Sequence, residues 1–365
     1  MSLVTQPPPG EITPEAMLAE TAAPRRATSL SPNQRAWARF RRNRLGYVSL
    51  LVFLAMLFLG TFAEVFSNDR PLVARYDGEW FFPIVSNQPE KRFGGDFATD
   101  TDWHDPFIKA QFARPGNFAL FTFNEFGART LDYYARAADP LAPTAGHWLG
   151  TDSSGRDIVA RLLYGFRVSI YFALALTVVG TVLGIIVGAL QGYFGGRVDL
   201  TAQRVIEIWN AVPDLYLLII IASIFAPTLL LLVGVFALFG WIGLSDYVRA
   251  EFLRNRNLEF VKAARAMGLS NLQIMWRHVL PNSMTPVITF LPFRMSAAIL
   301  FLTALDFLGL GVPNIPSLGD LLREGKENLD AWWIAIPTFV VLSFTLLLLT
   351  FIGDALRDAF DTRKS

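Results

Sequence analysis

The sequence contains no cysteine among its 365 residues and only three histidines. The absence of cysteine excludes a disulfide framework, a thiol nucleophile and a thiolate metal site. The histidines, His104, His147 and His278, are scattered, and no H-E-x-x-H set for a metal-dependent hydrolase is present. We therefore expect this chain to hold no catalytic residue, no metal site and no cofactor.

Charge is scarce as well. Only 17% of the residues are Asp, Glu, Lys or Arg, whereas 53% are hydrophobic. This balance is too apolar for an ordinary soluble domain and is typical of a protein that crosses a membrane several times. The net charge of +1 gives no reason to expect a nucleic-acid partner.

The first apolar run comes late in the chain. Residues 1–34 are rich in proline, alanine, threonine and serine without an apolar period, which predicts a flexible tail. No basic start leads directly into an apolar run, so the pattern does not predict a cleaved signal peptide. A basic segment and the first span follow at 35–66.

Six apolar windows are long enough to cross a membrane, since a span needs about 20 residues. They lie at 46–66, 168–194, 201–225, 226–245, 284–308 and 332–352. Basic residues concentrate on the side that carries both termini, and the positive-inside bias makes that side cytoplasmic. Arg156, Arg161 and Arg167 fall on the opposite side and weaken the bias.

Residues 67–150 separate the first two spans without a spanning run of their own. Two stretches, 80–85 and 118–123, have strand-like composition. We expect an extracytoplasmic insertion of mixed or β character. The remainder, 151–365, then forms the membrane core with spans two to six and a polar loop at 246–283.

The loop 246–283 combines charge with an apolar stripe at helical spacing: Phe260, Ala263, Ala264 and Met267. Gly268 is well placed to end that helix in a left-handed cap, and Pro281 to bound a second short helix. Such a helix–turn–helix could insert into a groove of a soluble partner, although an ordinary surface connector has the same pattern.

This loop resembles the segment by which permeases of ABC importers dock on their ATPase subunits. That family carries Glu-Ala-Ala, three residues, glycine, nine residues and then Ile-x-Leu-Pro. The chain matches the motif at Ala263, Ala264, Gly268, Leu280 and Pro281, and departs from it at Lys262 and His278. These departures are similar to the oligopeptide and dipeptide branch, and they put in doubt any salt bridge that needs the missing glutamate.

Further stretches similar to that branch cover about 145–362. They lie at 149–157, 192–199, 308–313 and 353–358. The long insertion, with Gly325-Lys326 and Ala331-Trp332-Trp333, resembles the branch linked to microcin C and longer peptides.

The resemblance implies an all-α integral membrane permease with six transmembrane helices and the type I importer fold, placed among lipid in the bacterial inner membrane. It implies three kinds of protein partner: a homologous permease in a heterodimer, cytoplasmic P-loop ATPase subunits that bind ATP and Mg²⁺, and a periplasmic binding protein that delivers a peptide. The residues that couple this chain to the ATPase would be Lys262, Ala263, Ala264, Gly268, His278, Leu280 and Pro281.

One segment imitates a nucleotide-binding loop. Gly150 and Gly155 have its spacing, but Arg156 and Asp157 stand where a P-loop has lysine and then serine or threonine. ATP hydrolysis would therefore require another polypeptide.

Four ionisable residues lie inside or near the ends of predicted spans: Glu207, Asp214, Arg294 and Asp306. Charges there are costly and usually face a protein interior or an aqueous path. We predict that they line a translocation path. The alternative is pairing between helices, such as Glu207 with Arg204 or Arg294 with a partner subunit. A rival function is an ion-coupled transporter that uses Glu207, Asp214 and Asp306 as carriers, although the sequence lacks the internal repeat of such folds.

The second span carries a glycine at every fourth position: Gly180, Gly184, Gly188 and Gly192. On a helix these residues share one face, which lets another backbone approach closely. The pattern predicts a helix–helix seam, either static or sliding during gating.

Overall fold

The computed structural model describes residues 31–134 and 139–361. Its first element is α1 (Pro32–Arg42), which Ser31 caps through reciprocal hydrogen bonds with Gln34. The helix therefore begins before the predicted start of the basic segment at residue 35. Most of the predicted tail, residues 1–30, lies outside the described residues.

The first span, α2 (Arg44–Thr61), leads into the insertion. The elements of the insertion are α3 (Ala63–Phe66), β1 (Val73–Tyr76), β2 (Glu79–Phe81), a 3-10 turn at Glu90–Phe93, α4 (Pro106–Phe112) and β3 (Phe118–Leu120). The strands form one antiparallel sheet in the order β2-β1-β3. The predicted β character is thus confirmed. Strand β2 ends earlier than its strand-like stretch, where Pro83 cannot donate to a ladder.

Aromatic rings form the core of the insertion. Phe93 is fully buried and lies 5.0 Å from the ring of Phe112, 5.2 Å from that of Trp103 and 5.3 Å from that of Tyr76. Edge-on and tilted ring pairs of this kind stabilise a fold beyond the area they bury. The insertion therefore has a packed core of its own.

Hydrogen bonds tie the insertion to the second span, α5 (Ile158–Phe194). Asn124 donates from Nδ2 to Asp157, the N-cap of α5, at 2.6 Å. The His147 ring lies 2.9 Å from Asp157 and 3.2 Å from Asp132. Burial lowers the pKa of His147, but the bonds to these carboxylates raise it more, so the net shift is upward. The anchor is strongest below pH 6.5 and weakens as the pH rises through the raised pKa.

The remaining elements follow in chain order. They are α6 (Gly196–Asn210), α7 (Asp214–Ile224), α8 (Leu229–Gly240), α9 (Ile242–Asn255), α10 (Glu259–Ala266), α11 (Asn271–Ile274), a π turn at Met275–Val279, α12 (Leu280–Phe307), α13 (Leu318–Glu327) and α14 (Trp332–Phe360).

Five helical runs in the described chain are long and apolar enough to cross a membrane: α2, α5, α8 with α9, α11 through α12, and α14. A sixth exists if α6 and α7, which are bent by 61°, count as one broken span. These runs confirm the predicted six-span core. The break between the third and fourth spans lies at the predicted turn, Ala226-Pro227.

The loop 246–283 is shorter than we predicted. α9 continues to Asn255, and the next spanning run already begins at Asn271. The expectation that Pro281 bounds a short helix is wrong, because Pro281 lies in the first turn of α12. The π turn at Met275–Val279 comes just before Pro281, where the missing N–H interrupts the regular hydrogen-bond ladder of the helix.

The glycine face of α5 is a seam against α9. A Cβ added at Gly188 would lie 2.4 Å from the carbonyl oxygen of Ser245, and one at Gly192 would lie 2.5 Å from that of Arg249. Such distances leave no room for a side chain. The predicted close approach of two backbones is therefore confirmed.

Arg161, one of the three arginines opposing the predicted orientation, is buried among carboxylates. It contacts Asp152 and lies 2.5 Å from Glu324 and 2.6 Å from Asp320, both on α13. The other two arginines on that side also pair with carboxylates. Paired charges add little net positive charge, so they do not contradict the predicted orientation. The cluster also joins α13 to the start of α5.

Candidate functional site

α10 and α11 form a helix–turn–helix at the end of the bundle opposite the insertion. Gly268 follows α10 with φ +82°, a left-handed conformation that glycine adopts without penalty. Its N–H donates to the carbonyl of Arg265 at 3.0 Å. Ser270 and Gln273 then form a capping box that starts α11. The predicted turn at Gly268 is confirmed.

The helix–turn–helix is packed on the spans. Val261 and Ala264 are buried in one apolar cluster with Phe252 of α9. Tyr193, near the end of α5, donates from its hydroxyl to Oδ1 of Asn271 at 2.9 Å. The loop is therefore joined to α9 by apolar packing and to α5 by a hydrogen bond.

The helix–turn–helix and the π turn that follows it also expose large apolar side chains. We call these side chains the loop face: Phe260, Met267, Leu272 and Trp276. Ala263 is also exposed, whereas Ala264 faces the protein core. The predicted stripe is thus wrong at Ala264, because neighbouring side chains of a helix point about 100° apart and Ala264 lies on the face that packs on α9 with Val261.

Lys262 occupies the motif position where the permease family has glutamate. Its Nζ lies 2.7 Å from Oε1 of Glu259, one helical turn earlier. Both side chains are mostly exposed, so the pair adds little stability. Lys262 therefore pairs with a carboxylate on the preceding turn, as their spacing of three residues along the helix allows.

The rest of the matched segment leads into the fifth span. His278 and Leu280 are half-buried, and Pro281 is exposed. The carbonyl of His278 accepts a hydrogen bond from Asn282 at 2.8 Å. This part of the motif thus connects the loop face to α12.

A cavity of about 350 Å³ lies within the membrane core, and we call it the core cavity. It is lined by Asp214, at the start of α7, and by Arg294 of α12. Further lining residues are Thr177, Asn210, Phe236, Phe239 and Phe301. Mixed apolar and polar walls of this kind suit a ligand with both characters. Asn210 and Thr177 were not expected, although Asn210 precedes Asp214 by four residues.

Arg294 carries an uncompensated charge in this cavity. Its Nη2 donates to the carbonyl oxygen of Gly240 at 2.9 Å, and its buried Nε has no hydrogen-bond partner. No carboxylate within the described chain lies in ion-pair distance of its guanidinium. The structure thus brings Asp214 and Arg294 to one cavity but leaves Arg294 without a counter-ion.

The other two predicted path residues lie elsewhere. Glu207 pairs with Arg204 at 2.5 Å on an exposed surface, which is the alternative that its spacing allowed. Asp306 is buried at the insertion end of α12 and lines a different cavity, of about 390 Å³, together with Arg161.

Comparison with protein families gives two matches. Residues 180–365 match the family described as binding-protein-dependent transport system inner membrane component. Residues 31–89 match the N-terminal TM domain of oligopeptide transport permease C. Together these matches cover the first span and most of the membrane core.

Three similar proteins extend over nearly the whole chain. The inner membrane ABC transporter permease protein YejE of Escherichia coli K12 is 47% identical, over 92% of this chain and 99% of its own length. The peptidoglycan transport system permease protein YejE of Agrobacterium fabrum is 43% identical, over 94% and 96%. The dipeptide transport system permease protein DppC of Lactococcus lactis is 30% identical, over 92% of each chain.

Proposed function

We propose that this chain, which belongs to the family of binding-protein-dependent transport system inner membrane components, is a permease subunit of an ATP-driven importer for peptides. It is a protein of the bacterial inner membrane. The observation that carries the proposal is the loop face: an exposed apolar surface on a capped loop that is itself packed on two spans.

The loop face fits the groove of a cytoplasmic ATPase. A helix that presents anchors at positions such as Phe260 and Met267 can insert into a hydrophobic groove. Packing of Val261 and Ala264 on α9 would then carry movement of the ATPase into the spans. ATP and Mg²⁺ would be held by that partner, and this chain would take no chemical part in hydrolysis.

A second permease would complete the path. The bent pair α6 and α7 buries few of its side chains: Asp199, Ile206 and Leu218. Ile208, Tyr216 and Ile220 on the same pair are exposed. Because α7 also carries Asp214, a homologous subunit packed here would enclose the core cavity.

The insertion lies at the end of the bundle opposite the loop face. With the ATPase on the cytoplasmic side, the insertion and its exposed aromatic residues, among them Trp80, Phe82 and Phe118, would be periplasmic. An apolar patch of this kind marks a protein-interaction surface. We assign it to the binding protein that delivers the peptide. Both termini would then be cytoplasmic.

We propose peptides as the transported substrates because of the transport systems for which the relatives are named. The Lactococcus lactis relative is named for dipeptide transport and the Agrobacterium fabrum relative for peptidoglycan transport. The comparisons give no support to an ion-coupled transporter. Of its proposed carriers, Glu207 is already paired with Arg204.

Reconstitution tests the proposed function. This chain is placed in vesicles with the products of its neighbouring genes, and the binding protein and a radiolabelled alanine tripeptide are added outside. We expect accumulation that requires ATP inside the vesicles and is unchanged when a proton ionophore is added. Accumulation that follows the proton gradient and ignores ATP would support the ion-coupled rival.

Removal of the sheet is expected to impair delivery of the peptide. The N–H of Leu72 donates to the carbonyl of Leu120 at 2.8 Å, so two glycines can replace residues 73–119 and leave the Asn124 anchor in place. Uptake that depends on the binding protein should fall at least about tenfold, as loss of central interface contacts implies. The amount of ATPase that co-purifies should not change. Normal uptake would show that the sheet is dispensable.

Asp214→Asn is expected to lower peptide uptake about tenfold, because a hydrogen bond to a charged group is lost in a membrane cavity. Assembly with the ATPase should be unchanged. Glu207→Gln is the matched control, since it removes only an exposed ion pair with Arg204. Equal losses of uptake and assembly in Asp214→Asn would indicate that Asp214 serves helix packing instead.

A further inference from the structure

Arg294 differs from the other buried or half-buried arginines of the spanning helices. Arg161, Arg167 and Arg249 each contact a carboxylate of this chain. Arg294 lies inside α12, and its only side-chain hydrogen bond within the described residues is donated to the carbonyl oxygen of Gly240. A charge within a span is costly unless it is paired. The arrangement therefore points to a negatively charged group that this chain does not itself supply.

The guanidinium is nevertheless held in a defined place. A Cβ added at Gly180 of α5 would lie 2.6 Å from Nη2 of Arg294 and 3.1 Å from the carbonyl oxygen of Gly240. The glycine thus leaves the space into which the guanidinium fits. Arg294 is fixed between α5 and the end of α8, at the wall of the core cavity.

Unsatisfied polar atoms meet at the core cavity. Both Nε of Arg294 and Oγ1 of Thr177 are buried without a hydrogen-bond partner. Buried polar groups almost always have a partner, so each orphan requires an explanation. The aromatic walls, Phe236 and Phe301, and the volume of about 350 Å³ are those of a ligand site.

We propose that Arg294 binds the C-terminal carboxylate of the peptide as it passes through the core cavity. A guanidinium is the side chain that best matches a carboxylate, because it can donate two parallel charge-assisted hydrogen bonds. Asp214 lines the same cavity and is available to accept from N–H or ammonium groups of the peptide. This inference rests on the proposed function and narrows its substrates to peptides with a free carboxylate, whatever their origin.

The test compares two probes in reconstituted vesicles: a radiolabelled alanine tripeptide and its C-terminal amide. Each variant is described by the ratio of acid uptake to amide uptake. The same binding protein is used for every variant, so its own preference between acid and amide cancels when these ratios are compared. Arg294→Gln should lower this ratio about tenfold relative to the wild type, the size expected for a hydrogen bond to a charged group. Amide uptake and the amount of co-purified ATPase should be retained.

Two further variants separate binding from packing. Gly180→Ala keeps the charge but displaces the guanidinium, and it should lower the same ratio. Arg204→Gln removes an exposed arginine of the neighbouring helix α6, and it should leave the ratio unchanged. Arg294→Lys should restore part of the preference for the acid, since it keeps a positive charge without the planar fork.

Specific results would overturn the inference. If Arg294→Gln lowers uptake of acid and amide equally, the cavity does not recognise a carboxylate, although the importer function stands. If the second permease no longer co-purifies with either Arg294→Gln or Arg294→Lys, Arg294 pairs with a carboxylate of that partner instead. If the wild-type complex accumulates neither probe, the peptide-import function fails and this inference fails with it.

Discussion

Gly268→Pro is expected to abolish ATP-driven transport while the chain remains inserted in the membrane. Gly268 holds φ at +82°, whereas proline fixes φ near −65°, and its N–H bond to Arg265 would be lost. A residue forced from its required conformation costs about 1–3 kcal/mol, and the lost bond about 1 kcal/mol more. Since 1.4 kcal/mol is a factor of ten, the ATPase that co-purifies should fall at least about tenfold.

Gly309→Pro is the matched control for this experiment. Gly309 also follows a helix with a positive φ, and its N–H donates to Asp306 at 3.0 Å, but it lies at the end of α12 nearest the insertion. The same local strain there should leave the ATPase bound. If Gly268→Pro co-purifies and transports normally, the loop face is not the coupling surface.

Gly188→Leu is expected to prevent α5 and α9 from packing. The added Cβ would lie 2.4 Å from the Ser245 carbonyl oxygen and 2.9 Å from Cβ of Val248, and neither backbone can move without separating the helices. Overpacking of this kind costs about 1–3 kcal/mol or more. A loss of one or two kcal/mol changes the ratio of folded to unfolded chain about 5- to 30-fold. Limited proteolysis in detergent measures that ratio.

Gly234→Leu provides the comparison. Gly234 also lies in a membrane helix, α8, but a Cβ added there meets no atom within 4 Å. This variant should resist proteolysis as the wild type does. Equal sensitivity of the two variants would mean that leucine itself, rather than the seam, destabilises the bundle.

Features set by neighbouring residues could be predicted from the sequence. The turn at Gly268 follows from a glycine at the end of an amphipathic helix, and the Glu207 pair with Arg204 follows from a spacing of three residues. The glycine face of α5 likewise predicted a close backbone approach. In each case the determining contacts are local or periodic along one helix.

Features set by packing between distant segments could not be predicted in the same way. A short amphipathic helix has apolar residues on two sides, and only the structure shows that Ala264 faces the core while Met267 is exposed. Asp214 and Arg294 are far apart in the sequence, yet they line one cavity from which Asp306 is separated. The hydropathy pattern shows that these charged residues lie in or near membrane spans, but it does not indicate which helices pack against each other.

Co-purification tests the central claim most directly. The tagged chain is expressed from its native operon and solubilised gently, and the proteins that accompany it are identified and assayed for ATP hydrolysis. We predict a second permease and a P-loop ATPase that hydrolyses ATP, with the ATPase lost in Gly268→Pro. A chain that purifies without an ATPase and transports in response to a pH gradient would contradict the account.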